Sequence, residues 1–282
     1  MTSIAFLGTG LLGAALAEAA AKRGDGVTAW NRTIAKARAL EPFGVHVAAS
    51  PAEAVRGARR VHLVLKDDDS IDEVVAALLP GLDREAVIVD HTTALPARTA
   101  ERAHRLHGEG VHYLHCPVFI GPPAARQGKG TILACGPRPL FEQVEADLAR
   151  MAERLEYLGE RPDLAAVLKL CGNALLIGIN ALVADVLSVA AESDVTPELA
   201  MHVLELFNTA SVIAGRGRRM ASRDYAATFE LAMARKDVRL MIETAGNRPL
   251  AVLPGLAARM DVLLAEGRAA DDLAVMGQDA VR

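Results

Sequence analysis

Lys169 and Asn173 stand four apart in the run Val167-Leu168-Lys169-Leu170-Cys171-Gly172-Asn173-Ala174-Leu175-Leu176. In a helix that spacing puts both side chains on one face. A lysine among apolar neighbours is costly, and desolvation lowers its pKa toward neutrality, which acid–base work near pH 7 requires. The alternative for Lys169 is a lysine that snorkels to the surface. A second group lies near the start of the chain, Gly8-Thr9-Gly10-Leu11-Leu12-Gly13. It follows the apolar run at residues 4–7 and precedes an alanine-rich helical stretch at residues 14–22. Strand, G-x-G-x-x-G and helix in that order predict a dinucleotide cradle. Gly8 serves the tight turn, Gly10 the close approach of a pyrophosphate, and Gly13 the packing of helix on strand. The free N–H groups at the helix start then face the phosphates.

The type of dinucleotide is read one strand later. Residues 27–30 predict a second strand, which ends at Asn31-Arg32-Thr33, with Lys36 a turn beyond. An adenosine ribose belongs at that strand end, and an NAD site places Asp or Glu there. Arg32 instead suits a 2′-phosphate, with Lys36 assisting, so NADP is the expected cofactor. The other reading of both residues is a solvated surface charge.

These groups need a scaffold, and the pattern along the chain supplies one. Further strands are expected at residues 46–47, 61–65, 87–90 and 111–114, with helices at 35–40, 51–58, 70–79 and 96–107. Alternation of this kind predicts an α/β fold, a doubly wound parallel Rossmann sheet. Ligands in such sheets lie at the carboxyl ends of strands. Leu65, Lys66-Asp67-Asp68-Asp69 and His91-Thr92-Thr93 follow such ends and are expected to wall the site. Thr92 and Thr93 either hold a carboxamide or substrate oxygen or cap the next helix. His91 reads as a structural histidine, and Cys116, with no basic partner nearby in sequence, as a small buried residue. Residues 116–130 read as a stiff, proline-braced loop, followed by a strand at 131–136, a helix at 139–154 and a strand at 155–159.

From Leu164 the texture changes to helices alone: a long apolar one to about Glu192, then 197–207, 211–220, 231–245 and 250–266. The division expected is a dinucleotide-binding domain at residues 1–160 and an all-α C-terminal domain at 161–282, joined by the long interdomain helix.

The chain's 282 residues are 51% hydrophobic, enough for a sizeable core. A net charge of −4 argues against a general nucleic-acid surface. Three scattered cysteines suit neither a disulfide framework nor a zinc site, and no metal is expected. No basic n-region precedes the first strand, and the apolar stretches read as interrupted short of a membrane span. A cytoplasmic protein with a small-molecule substrate is the expectation.

Taken together, the motifs resemble the β-hydroxyacid dehydrogenase family, which includes 3-hydroxyisobutyrate dehydrogenase and the glyoxylate and succinic semialdehyde reductases. Gly8 through Gly13 is similar to its dinucleotide loop, and Asn31-Arg32-Thr33 to its NADP-using form. Pro117-Val118 through Gly128 resembles the substrate loop, Lys169 through Asn173 the catalytic K-x-x-x-N helix, and Lys236-Asp237 the cofactor-proximal pair. Asp90-His91-Thr92-Thr93 sits where the family has its nicotinamide-side threonine. The resemblance implies hydride transfer between nicotinamide and a carbonyl or alcohol. Lys169 is then the general acid or base, and Asn173, Thr93 and Gly121 position the substrate. A homodimer or homotetramer is implied as well. Two departures stand out. Phe119 and Ile120 replace the serine and first glycine of the usual P-V-S-G-G, and Arg161-Pro162-Asp163-Leu164 replaces the glycines before the lysine. Both bear on the small-hydroxyacid substrate and not on the hydride chemistry, and the apolar face of Phe119 points to a larger or uncharged carbonyl compound. The competing readings are an imine reductase-like enzyme and a non-catalytic NADP-binding protein.

Overall fold

A computed structural model describes residues 3–206 and 208–281. The chain divides into two compact units, Met1–Asn173 and Ala174–Arg282. The division falls inside the long helix. The first turn of that helix belongs to the first unit's packing, where Leu164 and Ala165 lie against Leu133, Cys135, Leu158 and Phe119.

In the first unit, β1 (Ser3–Leu7), β2 (Gly26–Trp30), β3 (His46–Val47), β4 (Arg60–Leu63), β5 (Val87–Asp90) and β6 (His112–His115) form one sheet in the order β3-β2-β1-β4-β5-β6. Every pairing in it is parallel. The connections carry α1 (Leu11–Lys22), α2 (Ile34–Arg38), α3 (Pro51–Ala54), α4 (Asp68–Leu78) and α5 (Pro96–Gly108). Strands buried on both faces explain why β4 and β5 read as nearly continuous apolar runs. Apolar side chains fill two cores, one containing Phe6, Leu16 and Val89, the other Leu7, Leu63 and Ile88. The strand order reverses between β1 and β4, and there the glycine loop emerges.

Polar residues pin the helices. Asp67 caps α4, its Oδ1 accepting from Ser70 N at 3.0 Å, so the acidic run opens a helix. Buried Arg102 of α5 donates to Asp68 and Asp72 of α4 at 3.0 and 2.7 Å. Such a pair orients two helices more than it adds stability, since desolvation offsets the attraction.

The segment expected as irregular loop is structured. Val118–Phe119 is a strand, β7, and Pro122–Arg126 a helix, α6. The strand forms because its register with the next one, Val118↔Ile132 and Phe119↔Thr131, supplies partners that local sequence does not reveal. Pro122 opens α6, where a missing N–H costs nothing. β8 (Thr131–Ala134) and β9 (Arg154–Tyr157) do not extend the large sheet; with β7 they make a separate three-stranded one, β7-β8-β9. α7 (Arg138–Leu148) connects them and ends earlier than the pattern suggested.

α8 spans Leu164–Glu192, the bounds expected. It corrects the reading that apolar stretches break short of a membrane span. Within its 29 residues lies an 18-residue window of mean hydropathy 2.1 with at most two charged residues. Gly172, Asn173 and Gly178 interrupt the apolar pattern without interrupting the helix.

The second unit is helical among the described residues: α9 (Pro197–Met201), α10 (Val203–Leu206), α11 (Thr209–Ala221), α12 (Leu231–Ala245) and α13 (Leu253–Ala265). The helix expected at 197–207 is two short ones, and its last residue, Phe207, lies outside the described residues. Leu231, Val238, Met260, Leu263 and Val275 form its core. Two buried aspartates organise it. Asp185 of α8 accepts the backbone N–H groups of Ala251, Val252 and Leu253 at 2.6, 2.8 and 2.9 Å, which seats the start of α13. Asp272 accepts from Thr228, Phe229 and Ala274 and pairs with Arg216, contacts that hold its carboxyl well below the usual carboxylate range. Asp185 thus ties the later part of α8 to the start of α13.

Candidate functional site

The glycine loop has the geometry its residue types imply. Gly8 has φ of +98°, a conformation that favours glycine, and a Cβ there would lie 2.2 Å from Val64 O. Gly8 N donates to Trp30 O at 2.9 Å, locking the turn against β2. A Cβ on Gly13 would lie 2.0 Å from Gly8 O, so α1 packs on the loop at backbone contact. Gly10, in contrast, faces open space, with nothing within 4 Å of a built Cβ. It is the N-cap of α1, no side chain caps that end, and the first turn has no acidic residue. Free amide donors at an open, uncontested helix start fit a dinucleotide's pyrophosphate.

Beside the loop is a cavity of about 340 Å³ lined by Gly8, Gly10, Trp30, Asn31, Arg32, Thr33, Lys36, Leu65 and Lys66. Arg32 and Lys36, foreseen as anion-binding, lie on it together. Lys66, reached from β4 rather than β2, joins them, although 3.4 Å from Asp67. One carboxylate, Glu73, also lines the cavity, and sequence reasoning overlooked it. Three basic groups against one acidic group still favour an anion. The signal for Lys66 was its place at a strand's carboxyl end; Glu73 reaches the cavity from α4, and only folding reveals that.

Other expected cofactor residues act indirectly. Thr9 is buried, and its N–H donates to Asn31 Oδ1 at 3.0 Å. Asn31 Nδ2 in turn donates to Thr33 O at 3.0 Å. The Asn31 amide therefore braces the two loops against each other, and the Thr9 side chain does not face the cleft. Leu11 is exposed at the loop's crest, Leu12 packs against the core, and Gly13 is buried.

At the end of β5, Thr92 Oγ1 accepts from Leu65 N at 3.0 Å, and Thr92 N donates to Asp90 Oδ1 at 2.9 Å. Thr92 thus ties two strand ends together. Thr93 is exposed, and neither threonine caps α5, whose N-cap is Leu95. The hydroxyl of Thr93 remains free for a ligand among the described contacts. His91 is structural. It is buried, its Nδ1 donates to Cys116 O at 2.7 Å, and its Nε2 accepts from His62 Nδ1 at 3.0 Å. The carbonyl can only accept, which assigns that tautomer. Burial pushes both imidazole pKa values down. Cys116 is also buried, and burial pushes its thiol up, so it is no nucleophile.

Lys169 is buried, 8% exposed, on the second turn of α8. Its Nζ donates to Asn173 Oδ1 at 2.8 Å, the contact expected from their spacing. No carboxylate among the described residues pairs with it. Desolvation lowers its pKa from the ordinary lysine value. The Nζ also lies 4.0 Å from the centroid of the Phe119 ring. Ile120 is half-buried and Gly121 exposed, the latter as N-cap of α6. In the second unit, half-exposed Lys236 pairs with its neighbour Asp237 at 2.8 Å.

Known proteins match this chain at both levels. Residues 3–159 match the NAD binding domain of 6-phosphogluconate dehydrogenase, and residues 164–277 match the NAD-binding domain of NADP-dependent 3-hydroxyisobutyrate dehydrogenase. Glyoxylate/succinic semialdehyde reductase 1 of Arabidopsis thaliana is 27% identical over 256 residues, 88% of each chain. An imine reductase from Streptomyces aurantiacus superposes over 100% of both chains with a TM-score of 0.90 at 23% identity. One from Myxococcus stipitatus, solved with NADP+, covers 97% of this chain and 98% of its own, with a TM-score of 0.89 at 21% identity. At those identities the two structures show a shared fold. With its first unit matched across more than half the chain, and the glycine loop and lysine helix in place, the protein belongs to the β-hydroxyacid dehydrogenase family of NAD(P)-dependent oxidoreductases.

Proposed function

We propose that this protein is an NADP-dependent reductase or dehydrogenase of small carbonyl and alcohol compounds, of the hydroxyacid or semialdehyde class, with Lys169 as its general acid/base. The observation that carries the reading is the state of Lys169: buried, lowered in pKa, and held by an amide and an aromatic ring instead of a carboxylate. An ammonium held by an ion pair would be a poor proton donor; one in this setting gives up its proton more readily than an ordinary lysine, because burial disfavours its charged form. The nicotinamide, when bound, supplies or takes the hydride. Lys169 would protonate the oxygen that becomes an alkoxide, or accept its proton in the reverse direction. Asn173 fixes the Nζ through its Oδ1, and its Nδ2 is left to donate to a substrate oxygen. Turnover of NADPH against a panel of aldehydes, keto acids and imines tests the reading. No turnover with any carbonyl or imine would support a non-catalytic NADP-binding protein instead. The apolar Phe119 ring beside Lys169 favours a second reading, an imine reductase-like enzyme, and turnover confined to imines would select it.

NADPH is expected to bind at least tenfold tighter than NADH, a difference of about 1.4 kcal/mol, modest for a charge-assisted phosphate contact. Arg32→Ala should bring the two affinities together. Fluorescence titration of both cofactors checks this, and an unchanged ratio in the variant would remove Arg32 from phosphate recognition.

We also assign the exposed apolar side of α8 to a second copy of this chain. Leu175, Leu176 and Ile177 are 55%, 53% and 69% exposed. Light scattering at micromolar concentration should give a dimer or tetramer mass, reduced by Ile177→Glu. A wild-type monomer would overturn the assignment.

A further inference from the structure

Phe119 stands where the substrate loop of related enzymes has a serine, and its ring has a seat made for it. A Cβ on Gly172 would lie 2.3 Å from Phe119 Cζ and 2.7 Å from Cε1. The helix therefore carries glycine where a Cβ would collide with the ring. On the preceding turn, Lys169 Nζ stands 4.0 Å from the ring centroid. Phe119 packs against the buried cluster of Leu133, Cys135 and Ala165. The loop side is held as tightly. Gly130, at φ +101°, passes so close that a Cβ there would lie 2.8 Å from Phe119 O and from Ile120 Cγ1. Three segments distant in sequence thus converge on one aromatic ring.

We infer that Phe119 is the positioning residue for Lys169: seated against Gly172, its ring holds the ammonium by its π-face and excludes water and anionic groups from that side. The inference rests on the reading of Lys169 as the acid and deepens it. The ring has two opposed effects on the lysine. Its face attracts the cation, which favours the protonated form. Its bulk keeps water away, which favours the neutral form. The other titratable groups on the elements packed there are few. Cys135 follows β8, its thiol pushed up to about 11, and Asp163 before α8 is paired with Arg161 at 2.7 Å. Neither contributes to the lowering of Lys169, which arises from desolvation. The same ring offers a substrate no donor for a carboxylate. The site so built suits an uncharged carbonyl or imine carbon substituent at that position.

The two effects separate by substitution. Phe119→Leu keeps apolar bulk and removes the π-face, so the Lys169 pKa should fall by about 0.5 to 1.5 units. Phe119→Ser removes the bulk and admits water, so it should rise. Competitive acetylation of Lys169 across pH, read by peptide mass spectrometry, measures this without any activity. Gly172→Ala should lower kcat with Phe119 present and have much less effect in the Phe119→Ser background, because the clash is with the ring. Thermal unfolding of each variant identifies any that fails to fold, and the acetylation midpoints of the folded ones decide. Midpoints unmoved by both substitutions, or moved upward by both, would overturn the role of the ring face; additive effects of Gly172→Ala and Phe119→Ser would overturn the seat. Failure of the underlying reading looks different: Lys169→Ala would turn over normally whatever the midpoints do.

Discussion

Lys169→Ala is expected to lower kcat/KM for the reduced substrate by about 10²–10⁴, the range lost with a general acid, while NADPH affinity stays within about twofold. The buried Nζ touches Asn173 and the Phe119 ring, and it does not line the cavity with Arg32 and Lys36. The loss should therefore fall on turnover. Steady-state kinetics with the best substrate of the panel, alongside a cofactor titration, separate the two quantities. A variant with wild-type turnover would take Lys169 out of the mechanism. Asn173→Ala should give a smaller loss, since it leaves the amine in place but free to swing.

Gly13→Ala is expected to cost about 3 kcal/mol or more of stability and to weaken NADPH binding by at least about a hundredfold. The built Cβ meets the backbone oxygen of Gly8 at 2.0 Å, and a backbone atom in a locked turn cannot step aside as a side-chain tip can. Relief requires α1 to lift from the loop, which moves its amide donors away from the phosphates. Gly10→Ala supplies the contrast. Its Cβ meets nothing and its φ of −67° suits alanine, so the fold should keep its melting temperature within about 1 °C. The new methyl nevertheless stands in the space of the pyrophosphate, and NADPH affinity should fall. Differential scanning calorimetry and fluorescence titration on both variants check the pair. Equal behaviour of the two would mean that the loop's glycines do not divide the work between packing and ligand approach.

Local signals sufficed for the parts of this protein whose physics is local. A tight turn that only glycine tolerates, a helix start without an acidic residue, and a lysine and asparagine one turn apart are each written in a few consecutive residues. That is why the glycine loop, the Lys169–Asn173 pair and both ends of α8 were legible. The alternation of strands and helices likewise announced a parallel sheet, because parallel strands need crossovers.

Tertiary structure decided everything that depends on which segments meet. Residues 118–119 are too short, and too closely flanked by proline and glycine, to announce a strand; pairing with Thr131 and Ile132 makes them one. Asn31, placed by sequence at the ribose, turns its carbonyl to the Thr9 amide, and Thr92 gives its hydroxyl to Leu65 N, because a buried or strained backbone donor claims the nearest acceptor. Glu73 enters the cleft from α4. The departure at Phe119 was visible in the sequence as a lost hydroxyl, but its partner was not. Gly172 reads as a neutral small residue in a helix, and only the approach of the ring to 2.3 Å of where its Cβ would stand shows why it is glycine. Periodicity reports which face of an element is apolar; close packing between distant elements determines which atom fills which gap.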